Sequence, residues 1–156
     1  MTGRLQSAFP DPVSSTGLML WHVTNSWQRS IRAALAPYDL THVQFVLLAT
    51  LTAADRSTPI TQRNLAELAS IDEMMTSQVL RALERKQLVQ RLPHPADGRA
   101  RTLAVTEAGV ALANRAILAV ERADRDYFAP LADSLPAFTH SLATLATAKT
   151  HLSQPS

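Results

Sequence analysis

The 156-residue chain contains no cysteine, which removes disulfides, thiolate metal sites and thiol redox sensing together. Glycine is nearly as scarce: the four glycines form no phosphate-cradling loop, and neither G-x-S-x-G nor H-E-x-x-H occurs. The five histidines show no ligand spacing, so no catalytic residue, metal or cofactor is expected. Long apolar runs are missing as well. Nothing approaches the ~20 residues of a membrane span, and Met1 to Val13 lacks a basic start followed by an apolar block. A cytoplasmic protein with no membrane partner is the expectation.

What is present is the composition of an ordinary globular protein, 46% hydrophobic and 18% charged, in a length that suits one domain. The net charge is only +2, but it is unevenly spread: residues 1–55 balance, residues 102–156 are slightly acidic, and residues 56–101 carry eight Arg or Lys against five acids. Most of these bases are arginines, which grip phosphates and guanine edges with two hydrogen bonds at once.

Residues 1–15, with two prolines and no period, read as a loose arm preceding a single domain over 16–150. A first helix is expected over about 17–36, with Leu20, Val23, Trp27, Ile31 and Ala34 on one stripe and Trp21, His22 and Asn25 near its border. Thr41 and Gln44 have the spacing of a capping box for a second helix, in which Phe45, Leu48, Ala49 and Leu51 are expected in the core. Thr61 should cap a third helix burying Leu65, Ala66 and Leu68. Ala69 to Ile71 then turns the chain, and Asp72 caps a fourth helix. On that fourth helix Met75, Val79, Ala82 and Leu83 make the expected core stripe, so that Met74, Ser77, Gln78 and Arg81 project outward.

Leu88 to Leu92 and Arg101 to Val105 are β-prone runs joined by a proline-bounded tip containing His94, Asp97, Gly98 and Arg99. Asp97 is expected to brace the Arg99 guanidinium. A short helix, a turn, a second helix and a basic hairpin can lay one helix in a major groove while the hairpin reaches the neighbouring backbone. The winged helix-turn-helix is thus expected over about 41–105. An exposed Ser, Gln or Arg on a helix is commonly no more than a solvated face, and it is the grouping of these residues with the hairpin that points to double-stranded DNA.

These residues resemble a known family. Leu40 to Phe45, Leu65 to Asp72, Thr76 to Glu84, Leu88 to Arg91, Asp97-Gly98-Arg99 and Leu103 to Gly109 are similar in order to the MarR (multiple-antibiotic-resistance-regulator) family of winged helix-turn-helix regulators. The resemblance implies a mainly α fold with a small β-hairpin wing, flanked by N- and C-terminal dimerisation helices. It implies a cytoplasmic homodimer that reads a near-palindromic operator, often as a repressor released when a small, frequently aromatic, ligand binds. Thr76, Ser77, Gln78 and Arg81 map onto its recognition helix, and Asp97 and Arg99, with Arg101 nearby, onto a wing that enters the minor groove. The chain departs from the family at Gln87, where relatives usually have the glycine that suits a left-handed helix end.

Thr106 should cap a long helix over about 107–128, stopped by Pro130, with a last helix beginning at about Ser134. Leu112, Ala113, Ala116 and Val120 on the former and Phe138, Leu142, Leu145 and Ala146 on the latter leave stripes for a second subunit to cover. Trp27 is expected at that interface. By position, Trp21, His22, Asn25 and Phe45 are the expected lining of an effector site. The competing reading is a winged module used only for protein contacts, whose mark would be an apolar helix-4 face and an uncharged wing.

Overall fold

Helix after helix begins where a hydroxyl or carboxylate accepts the free amides of a first turn. The computed structural model describes residues 5–152, so residues 1–4 of the expected arm lie outside it. Ser15 caps α1 (Thr16–Leu35). Thr41 and Gln44 form the full capping box of α2 (His42–Ala53), and Thr61 with Asn64 does the same for α3 (Gln62–Ala69). Asp72 caps α4 (Glu73–Arg85), and Thr106 caps α5 (Glu107–Phe128). Each such cap is worth about 1 kcal/mol. Between α4 and α5 lies an antiparallel hairpin, β1 (Val89–Pro93) and β2 (Arg101–Val105), in which Arg91 faces Leu103 and Pro93 faces Arg101. Pro130 and a left-handed Ala132 (φ 47°) redirect the chain into α6 (Leu135–Leu152).

One core ties these elements together. Ile31 and Leu35 of α1, Phe45, Leu47, Leu48 and Leu51 of α2, Leu65 of α3, Leu80 and Leu83 of α4, Leu103 of β2 and Ala113, Ala116 and Val120 of α5 belong to a single buried cluster. The hairpin is moored to it by the Leu103 amide, which donates to the Ile60 carbonyl at 2.8 Å. α5 starts against the end of α4 so closely that a Cβ on Gly109 would lie 2.2 Å from the Leu88 carbonyl oxygen; only glycine fits there.

Trp27, expected at the subunit interface, makes its contacts within the chain. Its indole donates to Asp124 at 2.8 Å and packs edge-on against His42, while the Tyr127 hydroxyl donates to the Val23 carbonyl, so these residues clasp α1 to α5 within one chain. The outward apolar residues lie elsewhere. Leu20, Trp21 and Val23 on α1, Leu118 on α5, and Leu142 and Leu145 on α6 are all exposed, and residues 141–148 have no buried member.

Candidate nucleic-acid interface

The turn between α3 and α4 is built on Ser70. Ser70 takes a left-handed conformation (φ 54°), and the Ile71 amide donates back to the Ala66 carbonyl at 3.0 Å. This satisfies carbonyls at the end of α3 and delivers Asp72, whose carboxylate accepts the Met75 amide at 2.9 Å. α4 ends in the same way. Gln87 is left-handed (φ 59°), its amide donates to Glu84, and the Leu88 amide donates to Leu83. The position is therefore the glycine-favouring one that the sequence indicated, occupied by a residue with a side chain.

α4 is rotated by about one residue from the sequence expectation. Thr76 is fully buried with Leu80 and Leu83, and its hydroxyl donates to the Asp72 carbonyl at 2.8 Å. That bond spends the polar group, so Thr76 packs as a small core residue and does not belong to the reading face. Met75, expected in the core, is 44% exposed, and Leu68 on α3 is exposed too. The outward face presents Met74, Gln78 and Arg81 with half-buried Ser77 between them, and Arg81 Nη2 donates to Ser77 Oγ at 3.1 Å.

At the hairpin tip His94 Nδ1 accepts the amides of Ala96 (3.1 Å) and Asp97 (3.2 Å), and Asp97 Oδ1 accepts the Arg99 amide at 3.0 Å. Asp97 thus braces the Arg99 backbone and not its guanidinium, correcting the expectation. A carboxylate next to several amides satisfies the shorter bond to the loop itself. Among the described residues Arg81, Arg99 and Arg101 are exposed and form no ion pair. Such guanidiniums remain available to an external polyanion.

Two struts that the sequence reading missed fix the wing and α4 relative to the rest. Arg91 Nε donates to Glu84 at 3.0 Å and its terminal nitrogens donate to Gln62 at 3.2 Å, joining β1, α4 and α3. The signal was present: Arg91 is two residues from buried Val89 and so shares its inward face, where an arginine needs partners. Lys86 ties the end of α4 to the α1–α2 junction through the Asp39 carbonyl, the Asp39 carboxylate (3.4 Å) and Gln44 Oε1 (3.2 Å).

The expected effector residues do not converge within one chain. Trp21 and His22 are exposed, the Asn25 amide donates to the Trp21 carbonyl at 2.7 Å, and Phe45 is buried in the core. Phe45 thus belongs to the core cluster, whereas Trp21 and His22 stand on the surface of α1. A hollow of about 570 Å³ opens instead beside the α2–α3 loop, lined by Ala54, Thr58, Pro59, Ile60, Asn64 and Leu68. His42, under Trp27, has its pKa lowered from the ordinary histidine value because burial strips water from the ring; Asp124 pulls it upward and Arg32 pushes it down. Among the described residues no group of three or more His, Asp or Glu is placed to hold a metal, and no helix is long and apolar enough to cross a membrane.

A sequence profile of the MarR family matches residues 40–100. The uncharacterized HTH-type transcriptional regulator YdcH of Bacillus subtilis is 41% identical over 79% of this chain and 84% of its own length. The solved MarR family protein Rv2887 of Mycobacterium tuberculosis, in complex with salicylic acid, is 32% identical and covers 84% of this chain and 96% of its own, with a TM-score of 0.66. A mutant of MarR from E. coli complexed with operator DNA superposes with a TM-score of 0.75 at 25% identity, covering 83% of this chain and 91% of its own.

Proposed function

The chain belongs to the MarR family of winged helix-turn-helix transcriptional regulators, and on that premise we propose that it is a homodimeric repressor that reads a near-palindromic operator in the cytoplasm. Gln78 and Arg81, with Ser77 holding the latter, supply an amide and a guanidinium to base edges in the major groove. Arg99 and Arg101 reach the backbone and minor groove beside it, on a tip whose conformation Asp97 and His94 hold. The observation that carries this reading is that exposed arginines outside any ion pair among the described residues, Arg81 on α4 and Arg99 and Arg101 on the wing, stand on elements tied together through Arg91 and Glu84. A wing this basic does not fit a module used only for protein contacts.

A second copy of the chain covers the apolar residues of α1, α5 and α6. Two modules on one duplex then multiply their affinities. The effector is a small anionic aromatic compound. It rests against Trp21, His22 and Asn25 on the outer side of α1, where the second copy closes the site, and its binding releases the DNA. The salicylic acid complex of the relative Rv2887 supports this class of ligand.

Titration of a random duplex against ionic strength tests the DNA reading. Log affinity should fall steeply with log salt, and Arg99→Ala should weaken all duplexes and flatten the slope by about one. Arg81→Ala or Gln78→Ala should cost about 1–3 kcal/mol on the preferred site and little on scrambled sequence. A salt-independent affinity, or equal losses on both sequences, would refute it.

A further inference from the structure

Two large apolar side chains stand in solvent on the helix to which the proposed function gives base reading. Met74 is 76% exposed and Met75 44%, and the core uses neither, since α4 packs inward through Thr76, Leu80 and Leu83. They occupy the first turn of α4, directly after the Asp72 cap, far along the chain from the apolar ends assigned to the dimer. Residues three and four apart share a helix face. Met74 therefore stands in line with Ser77 and Gln78 and, one turn further, Arg81, while Met75 borders the same line beside Gln78. The stripe begins with thioethers and ends with a guanidinium.

Phosphates and base heteroatoms gain nothing from a thioether. The apolar feature on base edges in a major groove is the C5-methyl group of thymine, and the unbranched, polarizable methionine side chain adapts readily to such a group. We infer that Met74, with Met75 beside it, determines specificity by packing on thymine methyl groups in each half-site, in the same groove where Gln78 and Arg81 meet heteroatoms. This rests on the DNA-reading function above and adds the base that the N-terminal end of α4 selects.

Because both side chains are outside the core, truncating them leaves the fold intact, which circular dichroism verifies. The full chain is used to select tight duplexes from a random pool, and each thymine in turn is replaced by deoxyuridine, which lacks only the methyl group. At one or more thymines per half-site the wild type should lose about fourfold in affinity. The Met74→Ala, Met75→Ala double variant should bind the thymine and deoxyuridine duplexes equally. Comparing the two ratios separates the contact from any change in DNA stiffness. Tight binding by the wild type that ignores every deoxyuridine, or a double variant that keeps the wild-type preference, would overturn the inference while leaving the DNA reading in place. A wild type that binds no duplex would overturn both.

Discussion

Between Leu40 and Gly109 most leucines are buried in the shared core, while the outer faces of the chain's two end segments leave theirs in solvent. Within that middle region every helix start is capped by a side chain and the inward arginine has partners on two elements; outside, it presents Arg81, Arg99 and Arg101, free of ion pairs among the described residues, together with the exposed Met74 and Met75. At the ends, Leu20 and Trp21 of α1 and Leu142 and Leu145 of α6 stand in solvent on helices otherwise well formed. The difference is one of intended surroundings. Exposed arginines without acidic partners suit a polyanion, whereas exposed leucines repeated along a helix suit an apolar surface such as a second copy of themselves.

The comparison breaks most visibly at α6. Leu142→Asp with Leu145→Asp places two charges where the second copy should pack, and sedimentation should show the dimer weakened by at least about 100-fold. Thermal unfolding of the middle region should stay cooperative. A dimer that survives would assign the exposed face to another use. Next in size is Gly109→Ala. On a free helix alanine is better by about 1 kcal/mol, yet here its Cβ meets the Leu88 carbonyl oxygen, a backbone atom with no room to swing aside. Urea unfolding should report a loss of about 2–3 kcal/mol; a gain would mean that the α4–α5 junction yields.

Smaller effects sharpen the contrast within the middle region. Gln87→Gly relieves a left-handed residue inside a satisfied helix end, and should stabilise by about 0.5 kcal/mol after glycine's extra chain entropy is counted. His42 gives the pH dependence. Its folded pKa is lowered, so the unfolded chain binds the proton more readily. The stability it contributes is present above about pH 6.5 and is lost as pH falls through the lowered value. Urea midpoints followed from pH 8 downward should show this decline, and His42→Gln should flatten it; an equally steep decline in the variant would place the titrating group elsewhere.

Much of the fold was legible because capping is local. Thr41, Thr61, Asp72 and Thr106 do their work within three residues of themselves, and the hairpin is announced by β-prone runs around a proline-bounded tip. The rotation of α4 was not legible. A large apolar Met75 looks more like core than a threonine does, and nothing short of the helix itself reveals that Thr76 spends its hydroxyl on Asp72. Asp97 likewise shows a charge but not which of its neighbours it will bind. The apolar stripe of α1 was legible around Trp27; that Asp124, 97 residues away, would meet its indole is a tertiary fact. The effector site was least legible of all, since periodicity marks Trp21, His22 and Phe45 as facing residues without showing that Phe45 is buried in the core while the other two are exposed.

Hydroxyl-radical footprinting of the full chain on its selected duplex tests the central claim most directly. Two α4–wing units carried by one dimer should protect two patches on the same face of the duplex, about one helical turn apart, each consisting of a major-groove segment with minor-groove protection beside it. A single patch, or uniform cleavage at low salt by folded protein, would contradict the account.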